Sequence, residues 1–120
     1  MFNAYIEIMG DLVIVECEGR IVRSEAAFQL RDAVTSQQSA RLIVLDLSEV
    51  SAIEGGGLGM LVFLQHWAHD QDVRLKLFNP SHLVRERLER ASTLRPFEMA
   101  TLDELIALLR WGDGRETLAA

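Results

Sequence analysis

The chain has 120 residues, of which 49% are hydrophobic and 25% are charged, and its formal net charge is -6. This length and composition fit a single globular domain and argue against a wholly disordered chain. Because carboxylates outnumber cations, we expect neither nucleic acid nor an anionic membrane as a partner.

The start of the chain predicts a β-hairpin. Residues 3–8 and 11–18 each alternate between apolar and polar side chains, which indicates two antiparallel strands with one solvated face. Cys17 is the single cysteine and lies in this apolar pattern. We interpret it as a small core residue and not as a reactive thiol, and a lone cysteine fits a reducing compartment.

The middle of the chain predicts helix, strand and helix in turn. Apolar residues at helical spacing indicate a helix over about 24–37, with Ser24 as its N-cap. The continuous apolar run at 42–45 is typical of a strand covered on both faces. A loop is expected at 46–57, and the pattern then predicts a helix over 58–69.

The last third of the chain repeats the strand and helix order. Residues 73–77 alternate and predict a strand, and Asn79 is expected to cap the helix that follows. A short strand is expected at 97–99. Thr101 and Glu104 have the spacing of a capping box, which predicts the start of the last helix.

This element order predicts one α/β domain. Strands that alternate with helices indicate a mixed, mostly parallel sheet of four to five strands with about four helices. We expect the domain to span residues 1–110 and residues 111–120 to form a C-terminal tail. The chain has no signal peptide pattern and no apolar run long enough to span a membrane, so we expect a cytoplasmic protein.

The segment from Leu42 to Leu61 is the most informative. It contains Asp46-Leu47-Ser48 at the end of an apolar strand and Gly57-Leu58-Gly59 at the start of a helix. These motifs, with the element order over roughly residues 3–110, resemble the STAS family, named for sulfate transporters and anti-sigma factor antagonists. The resemblance implies a STAS-like fold and a non-enzymatic, protein-binding regulatory module that needs no cofactor. It also implies an anti-sigma factor or a serine kinase-like regulator as the partner, and it leaves a homodimer open.

The chain departs from the family pattern at the regulatory position. In the family a kinase phosphorylates a Ser or Thr in the turn, and here that position is Gly55, which has no hydroxyl group. Glu54 retains the preceding acidic residue. We therefore expect no phosphorylation at the usual site, and Ser48 and Ser51 are left open as alternative acceptors.

The resemblance places the partner-binding surface at the carboxyl ends of the strands. The 20–24 loop, the 54–59 turn and the 79–82 segment are expected to converge there. The 20–24 loop carries two arginines where the family usually has acidic residues. The candidate partner-binding residues are Arg20, Arg23, Ser24, Glu54, Gly55, Gly56, Gly57, Leu58, Asn79 and Ser81.

Two other functions are open from the residues alone. A glycine-rich turn that opens a helix can present amides to an anionic metabolite or nucleotide, but no Lys-Ser/Thr pair follows to make a P-loop. The loop carboxylates Asp46, Glu49 and Glu54 could serve acid–base chemistry, but no positioned nucleophile accompanies them. We therefore keep small-ligand sensing as the alternative function and expect no enzymatic activity.

Two further clusters are interpreted as structural. His66, His69 and Asp70 lie close together in sequence but lack a metal-binding motif, so we expect a solvated helix end and no metal. Phe63 and Trp67 are four residues apart on the same predicted helix. Core packing is the preferred interpretation for both, and a protein interface is the alternative.

Overall fold

The computed structural model describes residues 1–91 and 96–119 of the chain. Their strands form one sheet in the order β1-β2-β3-β4-β5. The elements are β1 Phe2–Met9, β2 Leu12–Ile21, α1 Ser24–Thr35, β3 Leu42–Ile53, α2 Gly56–Asp70, β4 Arg74–Phe78, α3 His82–Ala91, β5 Met99–Ala100 and α4 Leu102–Ala119. β1 is antiparallel to β2, and the other neighbours are parallel, which confirms the predicted α/β domain with a mixed sheet.

Helices cover the two faces of the sheet unequally. Side chains of α1, α2 and α3 pack with one face of the sheet in the larger core, which includes the buried Ile43 and Leu45. Val44 points to the opposite face, because successive strand residues alternate, and packs in a smaller cluster with Leu105 and Leu108 of α4. The backbone of α4 stays helical beyond residue 110, where we expected the domain to end.

β3 is much longer than the sequence indicated. The expected loop at 46–57 is wrong for most of its length, because β3 continues to Ile53. Its pairing with β2 shifts twice, each time by one extra residue in β3. The buried Leu47, Val50 and Ile53 are therefore three residues apart instead of two, and these bulges remove the alternation that marks a strand.

Two of the three predicted helix caps are wrong. Ser24 is the first helical residue of α1, and the N-cap is Arg23, which makes no side-chain capping hydrogen bond. Asn79 has a left-handed φ of 52°, whereas an N-cap is extended, and α3 is capped by Ser81, whose Oγ accepts from the Val84 amide at 3.3 Å.

The capping box at the start of α4 is confirmed. The Glu104 amide donates to Thr101 Oγ1 at 3.1 Å, and the Thr101 amide donates to Glu104 Oε1 at 3.3 Å. Each side chain therefore satisfies the backbone amide of the other residue.

Candidate functional site

The glycine turn, which we define as residues 54–57, contains the two residues between β3 and α2 and the first two residues of α2. Gly55 has φ 52° and ψ -117°, a conformation that residues with a side chain rarely adopt. Gly57 lies directly against β2, where a Cβ atom would overlap the Ile21 carbonyl oxygen. Gly56 has open space, because a Cβ atom there would lie 3.9 Å from its nearest neighbours, the backbone atoms of Ser24. The backbone thus requires glycine at two of these three positions.

The glycine turn is attached to the end of β2. The Glu54 amide donates to the Ile21 carbonyl at 3.3 Å, and the Gly57 amide donates to the Glu54 carbonyl at 3.0 Å. The expected loop at 20–24 is wrong in its bounds, because β2 continues to Ile21 and α1 begins at Ser24, but this segment and the turn lie side by side. Gly55 and Gly56 are both exposed. Leu58, the next candidate residue, is half-buried and packs against the core.

A groove opens beside the 20–24 segment, between the start of β1 and α1. Its volume is about 780 Å³, and we call it the arginine groove. It is lined by Met1, Phe2, Asn3, Arg20, Val22, Arg23, Glu25, Ala26 and Gln29. Arg20 and Arg23, which the sequence singled out, thus line this groove.

The two arginines of the groove have no carboxylate partner within residues 1–91 and 96–110. Arg20 and Arg23 are both exposed. Ion pairs to Asp or Glu within 4.0 Å engage Arg31, Arg41, Arg74 and Arg87, and the described arginines outside the groove that have none are Arg85, Arg90 and Arg110. The groove therefore presents two arginines without an ion-pair partner, beside the single carboxylate of Glu25, on an acidic protein.

Glu54 is held by a residue that the sequence analysis did not single out. Its Oε1 lies 3.0 Å from Arg87 Nη2 on α3, and both side chains are about half exposed. This pair ties the glycine turn to α3. Arg87 belongs to a run of alternating charges on that helix, and nothing in the sequence pattern separates it from its neighbours.

Asn79 lies apart from the glycine turn. Its Nδ2 donates to Ser48 Oγ at 3.1 Å, beside the point where Phe78 pairs with Asp46. β3 continues from there to Ile53, which places the turn about 20 Å further along the strand. The structure thus brings two of the three predicted segments together, and α3 spans the distance to the third.

The two serines left open as phosphate acceptors are both exposed but differ in their contacts. Ser48 Oγ donates to Asp46 Oδ1 at 2.5 Å and accepts from Asn79, so the hydroxyl group is engaged on both sides. Ser51 Oγ makes a single long contact of 3.5 Å with the Gly19 carbonyl. Ser51 therefore has the more accessible hydroxyl group.

Cys17 lies in the core, and its thiol is not available for chemistry. Burial raises the pKa of the Cys17 thiol to about 12, and the nearby Asp46 carboxylate contributes to this rise. The thiol is therefore protonated near neutral pH, where nucleophilic attack needs the thiolate.

The clusters interpreted as structural show no organised site. Residues 1–91 and 96–110 contain no group of three or more His, Cys, Asp or Glu side chains that could hold a metal ion, and His66 and His69 are both exposed. Trp67 packs against the core, as preferred, whereas Phe63 is 48% exposed and that interpretation is wrong for it. In the part of the chain that the structure describes, no helix has the length and apolar character needed to cross a bilayer.

Comparison with known structures gives the same fold. An anti-sigma factor antagonist, SpoIIAA in its unphosphorylated form, is 20% identical over 90% of this chain and 96% of its own, with a TM-score of 0.72. An anti-sigma factor antagonist from Mycobacterium paratuberculosis is 19% identical over 92% and 95%, with a TM-score of 0.71. A variant of RsbS from Moorella thermoacetica is 18% identical over 90% and 98%, with a TM-score of 0.69.

Sequence comparison identifies the family. No curated protein matches the chain. The family model for the STAS domain matches residues 3–106, which is most of the chain and includes the hairpin, the glycine turn and the capping box of α4. The chain therefore belongs to the STAS domain family.

Proposed function

We propose that this STAS domain is a regulatory module that binds a protein partner, an anti-sigma factor or a serine kinase-like regulator, and so acts in the control of transcription. The observation that carries the proposal is the arginine groove beside the exposed glycine turn. The structural neighbours that are anti-sigma factor antagonists support the class of partner.

Charge defines what the partner must offer. The chain carries a net charge of -6, yet Arg20 and Arg23 are exposed and have no ion-pair partner within the described residues, and Glu25 is the only acidic residue that lines the groove with them. A partner segment rich in Asp or Glu would form charge-assisted hydrogen bonds there, and attraction between opposite charges would also speed the encounter. We therefore propose that the groove receives an acidic segment of the partner.

The proposed module works without phosphorylation at the turn. Gly55 has no hydroxyl group, and its φ of 52° disfavours any residue that has one. Gly55→Ser would therefore need a local backbone change before a kinase could use the new hydroxyl. Gly56→Ser fits the existing backbone, because the atoms nearest to a Cβ at that position, from Ser24 and Val22, lie no closer than 3.9 Å.

Site-specific photocrosslinking in the source cells tests the proposal. Gln29 lines the arginine groove, whereas the exposed Gln38 lies in the α1–β3 connection at the opposite end of the sheet. A photoreactive amino acid at Gln29 is expected to capture one protein, identified by mass spectrometry as an anti-sigma factor or a kinase-like regulator. The same amino acid at Gln38 is the control and is expected not to capture it.

Two outcomes would contradict the proposal. One is capture of the same protein with equal yield from both positions, which would show that contact is not localised to the groove. The other is that position 29 yields no protein of either class while the chain is present at its natural level.

Small-ligand sensing is the alternative function, and the size of the groove favours it. A volume of about 780 Å³ lies within the range of about 300–1,000 Å³ that is typical of ligand pockets. Titration calorimetry with nucleoside triphosphates and dicarboxylates distinguishes small-ligand sensing from protein docking. Saturable heats that disappear in Arg23→Gln and persist in Arg110→Gln, a change on α4 outside the groove, would favour ligand sensing over protein docking.

We also propose that the chain is not an enzyme. The loop carboxylates that could act in acid–base chemistry have structural contacts: Asp46 accepts from Ser48, and Glu54 pairs with Arg87. A steady turnover that Glu54→Gln abolishes would contradict this view.

A further inference from the structure

We propose that two copies of the chain associate through β1, by antiparallel strand pairing centred on Ile6. β1 has eight residues and forms one edge of the sheet, and β2 is its only strand neighbour in the described structure. The opposite edge strand, β5, has only two residues. The short β5 thus offers little backbone for pairing with another chain, whereas the long β1 offers a full edge strand.

The hairpin register determines which backbone amides and carbonyls of β1 face β2 and which face away from the sheet. Met9 pairs with Leu12 across a two-residue turn, and the Arg20 amide donates to the Met1 carbonyl at 3.4 Å. Hydrogen-bonded pairs alternate along an antiparallel ladder, so the odd-numbered residues of β1 bond to β2. The amides and carbonyls of Ala4, Ile6 and Ile8 therefore point outward from the sheet.

The side chains of this edge are unusually apolar for a surface. Tyr5 is 53% exposed, Ile6 is 44% exposed and Ile8 is 63% exposed. Edge strands that avoid association commonly carry Lys or Pro, and β1 has neither. Its single charged residue is Glu7.

The side chains of β1 are complementary to those of a second, antiparallel copy of β1, and this favours another copy of the chain as the binding partner of the edge. Pairing centred on Ile6 places Ile6 opposite its own copy, Ala4 opposite Ile8 and Tyr5 opposite Glu7, so no carboxylate faces a carboxylate. It also brings the four isoleucines of the two edges into contact as direct and diagonal neighbours. Centring on Glu7 would place two carboxylates opposite each other. Centring on Tyr5 would give a ladder of equal length but would place Ile6 opposite Ala4 and Ile8 opposite Phe2, so that no isoleucine faces another.

Sedimentation velocity over a concentration series, from low micromolar to near millimolar, tests the proposal. The wild-type chain is expected to shift from monomer to dimer. Ile6→Lys and Ile6→Glu each place like charges on the two-fold axis and are expected to weaken the dimer by roughly tenfold or more. Leu83→Lys, at a position that is 68% exposed on α3, is the control and is expected to dimerise as the wild type does.

Mixing the two Ile6 variants tests the register itself. The introduced ammonium and carboxylate groups then face each other, so the mixture is expected to form a heterodimer that neither variant forms alone. Glu7→Gln is expected to strengthen the wild-type dimer, because the two Glu7 carboxylates are diagonal neighbours in this register.

The proposal is overturned if the wild type remains monomeric over the whole series, or if the mixed variants associate no better than each variant alone. Because the arginine groove requires only one copy, either result would leave the proposed docking function standing.

Discussion

Gly56 and Gly57 are adjacent but meet different surroundings, and this difference predicts opposite effects of the same substitution. A methyl group at Gly57 would overlap the Ile21 carbonyl, whereas at Gly56 it would meet no atom closer than 3.9 Å. Gly57→Ala is expected to destabilise the fold by about 1–3 kcal/mol or more. Gly56→Ala, in the first turn of α2, is expected to be neutral or to stabilise it by up to about 1 kcal/mol.

Urea denaturation of the two variants measures these changes in the free energy of unfolding. Equal effects, or a larger loss at Gly56, would contradict the close approach of α2 to the end of β2.

Cys17 provides a test of burial at the level of one thiol. Its pKa is raised from an ordinary value of 9.0 to about 12 by burial and by Asp46. We therefore expect the native chain to react with a thiol reagent at pH 8 far more slowly than the urea-unfolded chain. Comparable rates would show that the strand holding Cys17 opens readily.

The same shift predicts how stability depends on alkaline pH. A pKa that is higher in the folded state stabilises the fold fully below the unfolded value of 9.0, and this contribution is lost as pH rises from 9.0 towards about 12. Replacing the thiol by Cys17→Ala is expected to flatten the fall of unfolding free energy in that window.

At the scale of elements, α4 is fastened to the sheet by a charged contact. Lys76 Nζ on β4 lies 2.7 Å from Glu104 Oε2, and the Lys76 side chain is only 11% exposed. Glu104→Ala removes this partner and half of the capping box, so we expect a clear fall in the midpoint of thermal unfolding. Glu98→Ala removes an ion pair that is exposed on both sides and is the matched control, with an expected cost of about 0–1 kcal/mol.

The same contact predicts acid sensitivity. Hydrogen bonds from Lys76 and from the Thr101 amide, with the charge of Lys76, lower the pKa of Glu104. A carboxyl group with a lowered folded pKa stabilises the fold above its unfolded pKa, and the contribution is lost as pH falls through the folded value. Lys76→Met is expected to reduce this loss, and unchanged acid unfolding in that variant would contradict the assignment.

Helices and strands could be predicted where the spacing of apolar residues follows one period, helical or alternating, without interruption. The hairpin and the capping box at Thr101 and Glu104 follow from local pattern, and both are confirmed. The second half of β3 could not be predicted, because its two bulges place buried residues three apart. The predicted N-cap at Asn79 is also wrong, because Asn79 has a left-handed φ and the residue that caps α3 is Ser81.

At the scale of the whole molecule, the site was predictable only in part. The motif around the glycine turn and the arginines of the 20–24 loop are visible in sequence. The arginine groove itself is not, because it also needs Asn3 from β1 and Gln29 from α1, which come together only when the sheet forms. The pairing of Glu54 with Arg87 likewise depends on how α3 packs.

The proposed dimer and the arginine groove meet at the start of β1. In pairing centred on Ile6, residue 10 of one copy lies opposite Phe2 of the other, and Phe2 lines the groove. Self-association would therefore place a hairpin turn beside the docking site, and we expect partner binding to weaken as the concentration of the chain rises into the dimer range.

Titration calorimetry tests the central claim, docking through the arginine groove without phosphorylation, most directly. The partner protein that photocrosslinking identifies is purified and titrated against the purified chain, with and without magnesium and ATP. We expect the same affinity in both conditions and no phosphate on the chain. Arg23→Glu is expected to weaken binding by roughly tenfold or more, while Arg110→Glu, on the other side of the sheet, leaves it unchanged. Loss of binding on addition of ATP with phosphate found on the chain, or unchanged affinity of Arg23→Glu, would contradict an arginine-dependent docking surface without covalent control.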